Sequence, residues 1–313
     1  MTAYELIGVF ETGFIFSLVA LSAFLSFRVL NFPDLTVEGS FPLGAAVCAV
    51  LIVGGVNAWL ATAAAALAGF AAGYVTAFLN VRMRILPILA GILVAISLYS
   101  INLRIMSGPN KPLLGLKTVF DLFPNFGLPA SIANLLLLLL IVLSIMLLLN
   151  AFLATGYGMA MRATGMNPAM AEANGVNAGS ITLLGIGLAN AMTSLAGALF
   201  AQSFGTADAY MGIGVVIVGF ASVILGTSLI PARSMLAATS ACIVGAIVYR
   251  FAVAISLNGD YFGLVASDVQ LVTAVIVVLA LFVQRSGLPI AALFRRNRRK
   301  VPAHDYRQQE QVK

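Results

Sequence analysis

Long apolar runs separated by short polar stretches recur along almost the whole 313-residue chain. Each run approaches the roughly 20 residues that a helix needs to cross the hydrocarbon core of a bilayer. The polar stretches hold most of the Lys and Arg residues. The pattern therefore predicts about nine transmembrane helices, over residues 6–27, 42–57, 59–79, 85–103, 131–153, 181–200, 215–225, 235–256 and 269–283.

Composition supports an all-α, polytopic membrane protein. Hydrophobic residues make up 61% of the chain and charged residues only 9%, whereas soluble domains carry about 25% charged residues. We expect one transmembrane domain over residues 1–284 and a basic tail over residues 285–313. The net charge of +6 is carried at span ends and in the tail, which indicates contact with anionic membrane lipid and not with nucleic acid.

Several kinds of chemistry are excluded by the polar residues. No nucleophile and base can be paired from the residues of the spans, and no Gly-x-x-x-x-Gly-Lys-Ser/Thr loop is present to hold a nucleotide. No cluster of Cys and His suggests a metal, and the single histidine, His304, lies in the tail. We therefore expect a transport protein and not an enzyme, with no catalytic residue, metal or cofactor of its own.

A polar stretch over residues 28–40 interrupts the apolar pattern after the first run. Asp34 and Glu38 are four residues apart and would share a face of a helix, but Pro33 and Gly39 bracket them. Broken backbone at membrane depth is tolerated only inside protein or beside a cavity. The stretch predicts an interrupted helix on a translocation pathway, and the alternative is an ordinary loop with two solvated acids. The predicted pathway residues are Asp34, Thr36, Glu38, Ser40, Asn190 and Asp208.

The least apolar interior stretch of comparable length is 155–177. It predicts two short helices, the first ended by Gly165. Asn167 can cap the second helix and Pro168 fits its first position, while Gly175 suits the left-handed residue after a helix. The stretch is either an interfacial turn between two spans or a docking element that a soluble partner grips.

The placement of Lys and Arg predicts topology. With nine spans, thirteen of these residues fall on one face and four on the other. The first face is then cytoplasmic, with the N-terminus outside and the C-terminus and residues 155–177 inside. The thirteen are Arg28, Arg82, Arg84, Arg162, Arg233 and those from 285 onward, and the four are Arg104, Lys111, Lys117 and Arg250.

A weak internal repeat suggests two similar halves. In the predicted topology its two copies begin on opposite faces, which suits an inverted relation. The copies begin with Asp34, Gly39 and Gly44, and with Asp208, Gly214 and Gly219.

The stretch 155–177 resembles the cytoplasmic loop of bacterial ABC-importer permeases of the branched-chain amino acid and ribose type. Residues 33–45 are similar to the segment that breaks a helix in the sugar permeases, and closer still to the subgroup of tryptophan and related aromatic-solute importers. Glu38 departs from the small residue of the sugar permeases, so a sugar is not the expected solute. The matching positions in the loop are Arg162, Gly165, Asn167, Ala171, Gly175 and Asn177.

This resemblance implies an assembly in the bacterial inner membrane. Two copies of the permease would stand on two ATPase subunits, which bind ATP and Mg²⁺, below a periplasmic or lipid-anchored solute-binding protein. The transported compound would be an amino acid or a related small solute. The residues implied in coupling to the ATPase are Met159, Arg162, Gly165, Asn167, Pro168, Glu172 and Gly175.

Two other functions stay open. A stand-alone secondary transporter or channel would use Asp34 and Glu38 as an ion or solute site. An export permease of similar architecture would not depend on an external binding protein.

Overall fold

The computed structural model describes residues 3–122, 129–230 and 234–258, together with residues 271, 274, 275 and 278. Two three-residue strands, β1 (Asn110–Pro112) and β2 (Thr206–Asp208), pair antiparallel, and the rest of the regular structure in these ranges is helical. The helices are α1 (Ala3–Ala23), α2 (Val37–Val53), α3 (Ala58–Val81), α4 (Pro87–Met106), α5 (Val119–Leu122), α6 (Ala130–Ala154), α7 (Gly156–Met166), α8 (Pro168–Ala173), α9 (Ala178–Phe204), α10 (Val215–Leu229) and α11 (Met235–Asn258).

Six helices in the described part of the chain are long and apolar enough to cross a membrane, namely α1, α3, α4, α6, α9 and α11. The apolar helices α2 and α10 are shorter. These eight correspond to the first eight predicted spans, so the protein is a multi-pass membrane protein. The ninth predicted span lies almost entirely outside the described residues, and the tail over 285–313 and Arg233 lie wholly outside them.

The predicted interruption follows α1. That helix ends in a π-helical segment, Phe24–Val29, and residues 30–36 are irregular before α2 begins. We call residues 30–36 the first break. The second predicted span is wrong at its start, because α2 begins at Val37 and includes Pro42.

Small residues let α2 and α3 pack closely on α9. A Cβ added to Gly44 of α2 or to Gly69 of α3 would collide with Ser194 of α9, and one added to Gly73 would collide with Ile186. Such small residues are typical of helix contacts in membranes. The Ser194 hydroxyl donates a hydrogen bond of 2.6 Å to the carbonyl of Ala65, so it serves helix packing.

The two halves are arranged around α1 and α9. These helices are antiparallel, because Ser22 contacts Ala189 and Thr193 while Phe16 contacts Phe200. Each is followed by a break, a short apolar helix (α2 or α10) and a 24-residue helix (α3 or α11). The chain therefore enters the two breaks from opposite ends of the bundle. We call residues 209–214, between β2 and α10, the second break.

Contacts at the helix ends place most of the described basic residues on the predicted sides of the helix bundle. Gly165 of α7 lies against Val29, and Gly179 of α9 lies against Val81, so the basic ends of α1 and α3 share a side with α7. Lys111 lies at the other end of α9, because β1 pairs with β2.

Arg250 departs from its predicted place at the opposite face. It lies within α11, eight residues before the end of that helix. Its guanidinium carbon is 3.8 Å from the centroid of the Phe16 ring, near the middle of α1. Helical side chains point toward the N-terminus of their helix, which directs this one into the bundle instead of out to the surface.

Candidate functional site

The first break is held by a buried hydrogen-bond cluster around Asp34. Its Oδ1 accepts the backbone N–H of Thr36 at 2.9 Å, and its Oδ2 accepts Nδ2 of Asn190 at 2.6 Å. Ser40 Oγ donates to Asn190 Oδ1 at 2.7 Å. All four residues are fully buried. Four of the six predicted pathway residues thus meet in one place, where the break joins α2 and α9.

Further contacts complete the cluster. The hydroxyls of Thr36 and Thr76 are 2.7 Å apart, and Asn190 Nδ2 also donates to the carbonyl of Ile186 at 3.0 Å. Paired polar groups are the rule in protein interiors, because an unpaired one costs free energy. The interpretation of Asp34 as a solvated loop acid is therefore wrong. Asp34 precedes α2, so it does not share a helical face with Glu38.

Glu38 belongs to a different site. Its Oε1 accepts the backbone N–H of Gly214 in the second break at 3.2 Å. The half-buried carboxylate lies on a cavity of about 290 Å³ that is open on one side. The cavity is lined by Glu38, Gly39, Pro42, Ala95, Ile96, Tyr99, Ala209, Tyr210 and Ile213.

Two tyrosines stand beside Glu38 in this cavity. The hydroxyls of Tyr99 and Tyr210 are 2.6 Å apart, and their ring centroids are 5.4 Å apart. Asp208 holds the second tyrosine, because its Oδ1 accepts the backbone N–H of Tyr210 at 2.7 Å. Asp208 supports the cavity from behind and is not among the residues that line it.

A larger cavity lies elsewhere and has a different character. It has a volume of about 380 Å³ between α3, α6 and α9, and residues such as Leu148, Phe152 and Leu188 line it. Its lining offers no polar group to orient a solute. The Glu38 cavity is smaller, but it carries the polar groups that a pathway for a polar solute requires.

The predicted docking stretch forms a compact unit that we call the platform, made of α7 and α8. The start of α8 is as predicted, since Asn167 Oδ1 accepts the N–H of Met170 at 3.1 Å and Pro168 is the first helical residue. Gly175 follows α8 with φ +82°, as predicted for a residue after a helix. The side chain of Thr155 caps α7.

Gly165 does not end the first short helix, and that prediction is wrong. The helix α7 continues through Met166. A Cβ added to Gly165 would collide with the carbonyl of Val29 and lie 2.9 Å from Cα of Leu30. The glycine is therefore needed for a close approach between α7 and the end of α1, not for a turn.

The other platform residues divide into exposed and anchored ones. Met159 and Glu172 are exposed. Arg162 is partly buried, and its Nη2 donates to the carbonyl of Leu153 in α6 at 3.4 Å. Arg162 therefore fastens the platform to the end of α6.

Sequence reasoning missed Thr76, Tyr99 and Tyr210. Thr76 carries no local signal, because only the packing of α3 on the first break brings it to Thr36. Tyr210 had a usable signal, since it follows Asp208 by two residues, as Thr36 follows Asp34, and the backbone N–H at that spacing often bonds the Asp side chain.

Comparisons with known proteins agree with this architecture. Residues 6–284 match the family of branched-chain amino acid transport system permease components. The chain is 36% identical over 273 residues to a tyrosine transport system permease protein of Clostridioides difficile (strain R20291), covering 87% of this chain and 89% of that protein.

It is also 32% identical over 282 residues to an uncharacterized protein of Rickettsia prowazekii (strain Madrid E), covering 88% of this chain and 96% of that protein. No solved structure matches the chain. The resemblance seen in residues 155–177 and 33–45 is confirmed, and the family is one of transport subunits and not of enzymes. The chain belongs to the branched-chain amino acid transport system permease family.

Proposed function

We propose that the chain is the permease subunit of an ABC importer, that it works as a homodimer, and that it moves an amino acid or a related small solute. Two separate ATPase subunits bind ATP and Mg²⁺ and supply the energy. The observation that carries the proposal is the platform. Its two helices are capped and its outer surface is exposed, while its inner side packs directly on the first break.

The platform has a surface that suits a protein partner. Met159, Met166 and Met170 are 55%, 86% and 53% exposed, and methionine side chains adapt well to a partner groove. Glu172 is exposed and available for an ion pair with the ATPase. Arg162, which donates a hydrogen bond to α6, holds the platform in position when the ATPase displaces it.

The side of the platform that packs on the membrane helices gives a path by which the ATPase can displace those helices. Gly165 lies on Val29 and Leu30, and Leu30 in turn lies on Gly185 of α9. Leu30 is the first residue of the first break, which Asp34 ties to α9. A displacement of α7 by the ATPase therefore moves the break together with α2 and α9. Coupling of this kind requires a rigid contact that differs between two states.

The orientation follows from the basic residues. In this proposal the platform lies on the cytoplasmic side of the bacterial inner membrane, and nine spans place the N-terminus outside and the C-terminus inside. A periplasmic or lipid-anchored solute-binding protein delivers the solute on the opposite side. The tyrosine permease of Clostridioides difficile favours an aromatic amino acid as the solute.

Reconstitution of the complete transporter tests the proposal. The permease is purified with its ATPase and placed in liposomes with the binding protein, and uptake of labelled tyrosine is measured with and without ATP. Uptake should require ATP, the ATPase and the binding protein. Uptake by the permease alone would instead indicate a stand-alone secondary transporter that uses Asp34 or Glu38, and independence from the binding protein would favour an exporter.

Two glycines of α7 give a matched pair for the coupling contact. Gly165→Ala places a Cβ against the Val29 carbonyl, whereas Gly156→Ala has nothing within 4 Å of the added atom. We expect Gly165→Ala to lose at least about tenfold in uptake per ATP hydrolysed, equivalent to about 1.4 kcal/mol. Gly156→Ala should match the wild type. If uptake per ATP hydrolysed is the same in the two variants, the platform is not part of the coupling route.

Gly175 tests the end of α8 in the same assay. Its φ of +82° suits glycine, is tolerated by asparagine and is unfavourable for a β-branched residue. Gly175→Val should impair uptake more than membrane insertion, and Gly175→Asn should be close to the wild type. Normal uptake by the valine variant would contradict the role of this residue.

A further inference from the structure

The Glu38 cavity places a carboxylate near the middle of the membrane. Its α4 lining residues, Ala95, Ile96 and Tyr99, are at the centre of α4, which spans Pro87–Met106. One carboxylate oxygen accepts the Gly214 N–H, and the other has no hydrogen-bond partner among the described residues. A charged group at this depth is costly unless it faces water or a partner inside protein.

The open side of the cavity is not suited to lipid. Its rim residues Ile96, Tyr210 and Ile213 are 65%, 54% and 60% exposed in the single chain. Behind them the second break, residues 209–214, presents non-helical backbone at the same depth. Such backbone occurs in membranes only where protein covers it or where it lines a water-filled cavity. Protein or a water-filled space must therefore separate this side from lipid, and a second copy of the chain is the protein surface that the proposed homodimer supplies.

The chemistry of the lining selects one kind of ligand group. A carboxylate attracts a cation, and the neighbouring faces of Tyr99 and Tyr210 attract an ammonium group through their ring electrons. The tyrosine hydroxyls add hydrogen bonds, and the remaining lining is apolar. A compact, protonated primary amine fits the carboxylate and the two tyrosines. The apolar lining fits the apolar body of an amino acid that carries such an amine.

We propose that the Glu38 cavity is a contact site for the protonated amino group of the permeating solute, on a water-filled path between two copies of the chain. Glu38 receives the ammonium group, and Tyr99 and Tyr210 flank it. This inference rests on the proposed transport function, and it adds the chemical group of the solute that the permease itself recognises.

A thiol-protection measurement tests the site without the ATPase or the binding protein, so its failure is distinguishable from failure of the importer assignment. Ile96→Cys places a thiol on the cavity rim, and Leu67→Cys on α3 is the control with a similar exposure of 71%. The native thiols Cys48 and Cys242 are fully buried. A water-soluble methanethiosulfonate should modify Ile96→Cys at least about tenfold faster than Leu67→Cys, because the control thiol faces lipid.

The same measurement identifies the recognised group. Tyrosine should slow the modification of Ile96→Cys, whereas N-acetyltyrosine, which lacks the ammonium group, should not. Protection by tyrosine should disappear when Glu38→Gln is added. Equal rates at the two thiols, equal protection by the two compounds, or protection that survives Glu38→Gln would each overturn the proposal.

Uptake by the reconstituted transporter separates recognition from folding. Glu38→Gln should lower uptake of tyrosine at least about tenfold, and Glu38→Asp, which keeps the carboxylate, should recover part of it. Glu11→Gln removes another glutamate of a membrane-spanning helix, from α1, and should retain uptake. Each variant is compared at equal amounts of assembled permease. Wild-type uptake by Glu38→Gln, or equal loss in Glu38→Gln and Glu38→Asp, would contradict the role of the carboxylate.

Discussion

The two breaks share a local structure but differ in their surroundings. An aspartate within the first break, Asp34, and one just before the second break, Asp208, each accept the backbone N–H two residues later. A short apolar helix follows each break. The first break is sealed at Asp34 and Thr36, since these two side chains are fully buried and are bonded to α9 and α3 respectively. The second break borders an open cavity that contains Glu38. An acidic residue at membrane depth is therefore not a pathway residue by its presence alone, because its partners decide its role.

The helices that follow the two breaks differ in how closely one glycine of each approaches the helix it packs on. A Cβ on Gly44, in the helix after the first break, would collide with Ser194. A Cβ on Gly219, in the helix after the second break, would lie 3.2 Å from the Ala23 side chain and 3.3 Å from Val19. At these two glycines α2 therefore lies closer to α9 than α10 lies to α1.

The largest effect is expected from Asp34→Leu. It removes both hydrogen bonds of the carboxylate and leaves Asn190 Nδ2 with only the Ile186 carbonyl as acceptor. We expect a loss of about 3 kcal/mol or more in the free energy of unfolding, because two buried hydrogen bonds are lost and each buried polar group left unpaired costs about 1–3 kcal/mol. Thermal unfolding in detergent, followed by the fluorescence of the single tryptophan, Trp59, measures it. An unchanged midpoint with loss of transport alone would make Asp34 a solute or ion site.

The glycine pair should give the next largest effect. Gly44→Ala forces α2 away from the backbone of α9 and should cost about 1–3 kcal/mol, as overpacking usually does. Gly219→Ala would keep its Cβ at least 3.2 Å from every neighbouring atom, a contact that a shift of a few tenths of an ångström relieves. Its unfolding midpoint should therefore stay closer to the wild type. If the two substitutions destabilise the protein equally, the helices after the two breaks do not differ in packing at these glycines.

The smallest effect is expected from Asp208→Asn. The amide oxygen can still accept the Tyr210 N–H, and the site is only partly buried. The change in the free energy of unfolding should be within about 0.5 kcal/mol, as for most substitutions outside the core. Asp34→Asn is the matched variant, and it should cost clearly more because its new amide N–H₂ group would face the Asn190 amide. Equal costs would show that burial does not distinguish the two aspartates.

The local parts of the fold could be predicted from the sequence. Apolar run length located the first eight spans, and Asn167, Pro168 and Gly175 marked the start and end of α8, because each of these signals depends on neighbouring residues only. The separation of Asp34 from Glu38 could not be predicted, since it depends on where α9 and the second break lie. Gly165 was misinterpreted for the same reason. A glycine that ends a helix and one that permits a contact look alike in sequence.

Measuring how readily water reaches each break compares the two breaks most directly. Thr36→Cys in the first break and Ile96→Cys beside the second are exposed to the same water-soluble thiol reagent in membranes, both at rest and while the complete transporter hydrolyses ATP. The thiol at 96 should react, and the thiol at 36 should stay protected in both conditions. Equal reaction at position 36 would place the first break on the solute's path and would contradict the sealing of that break.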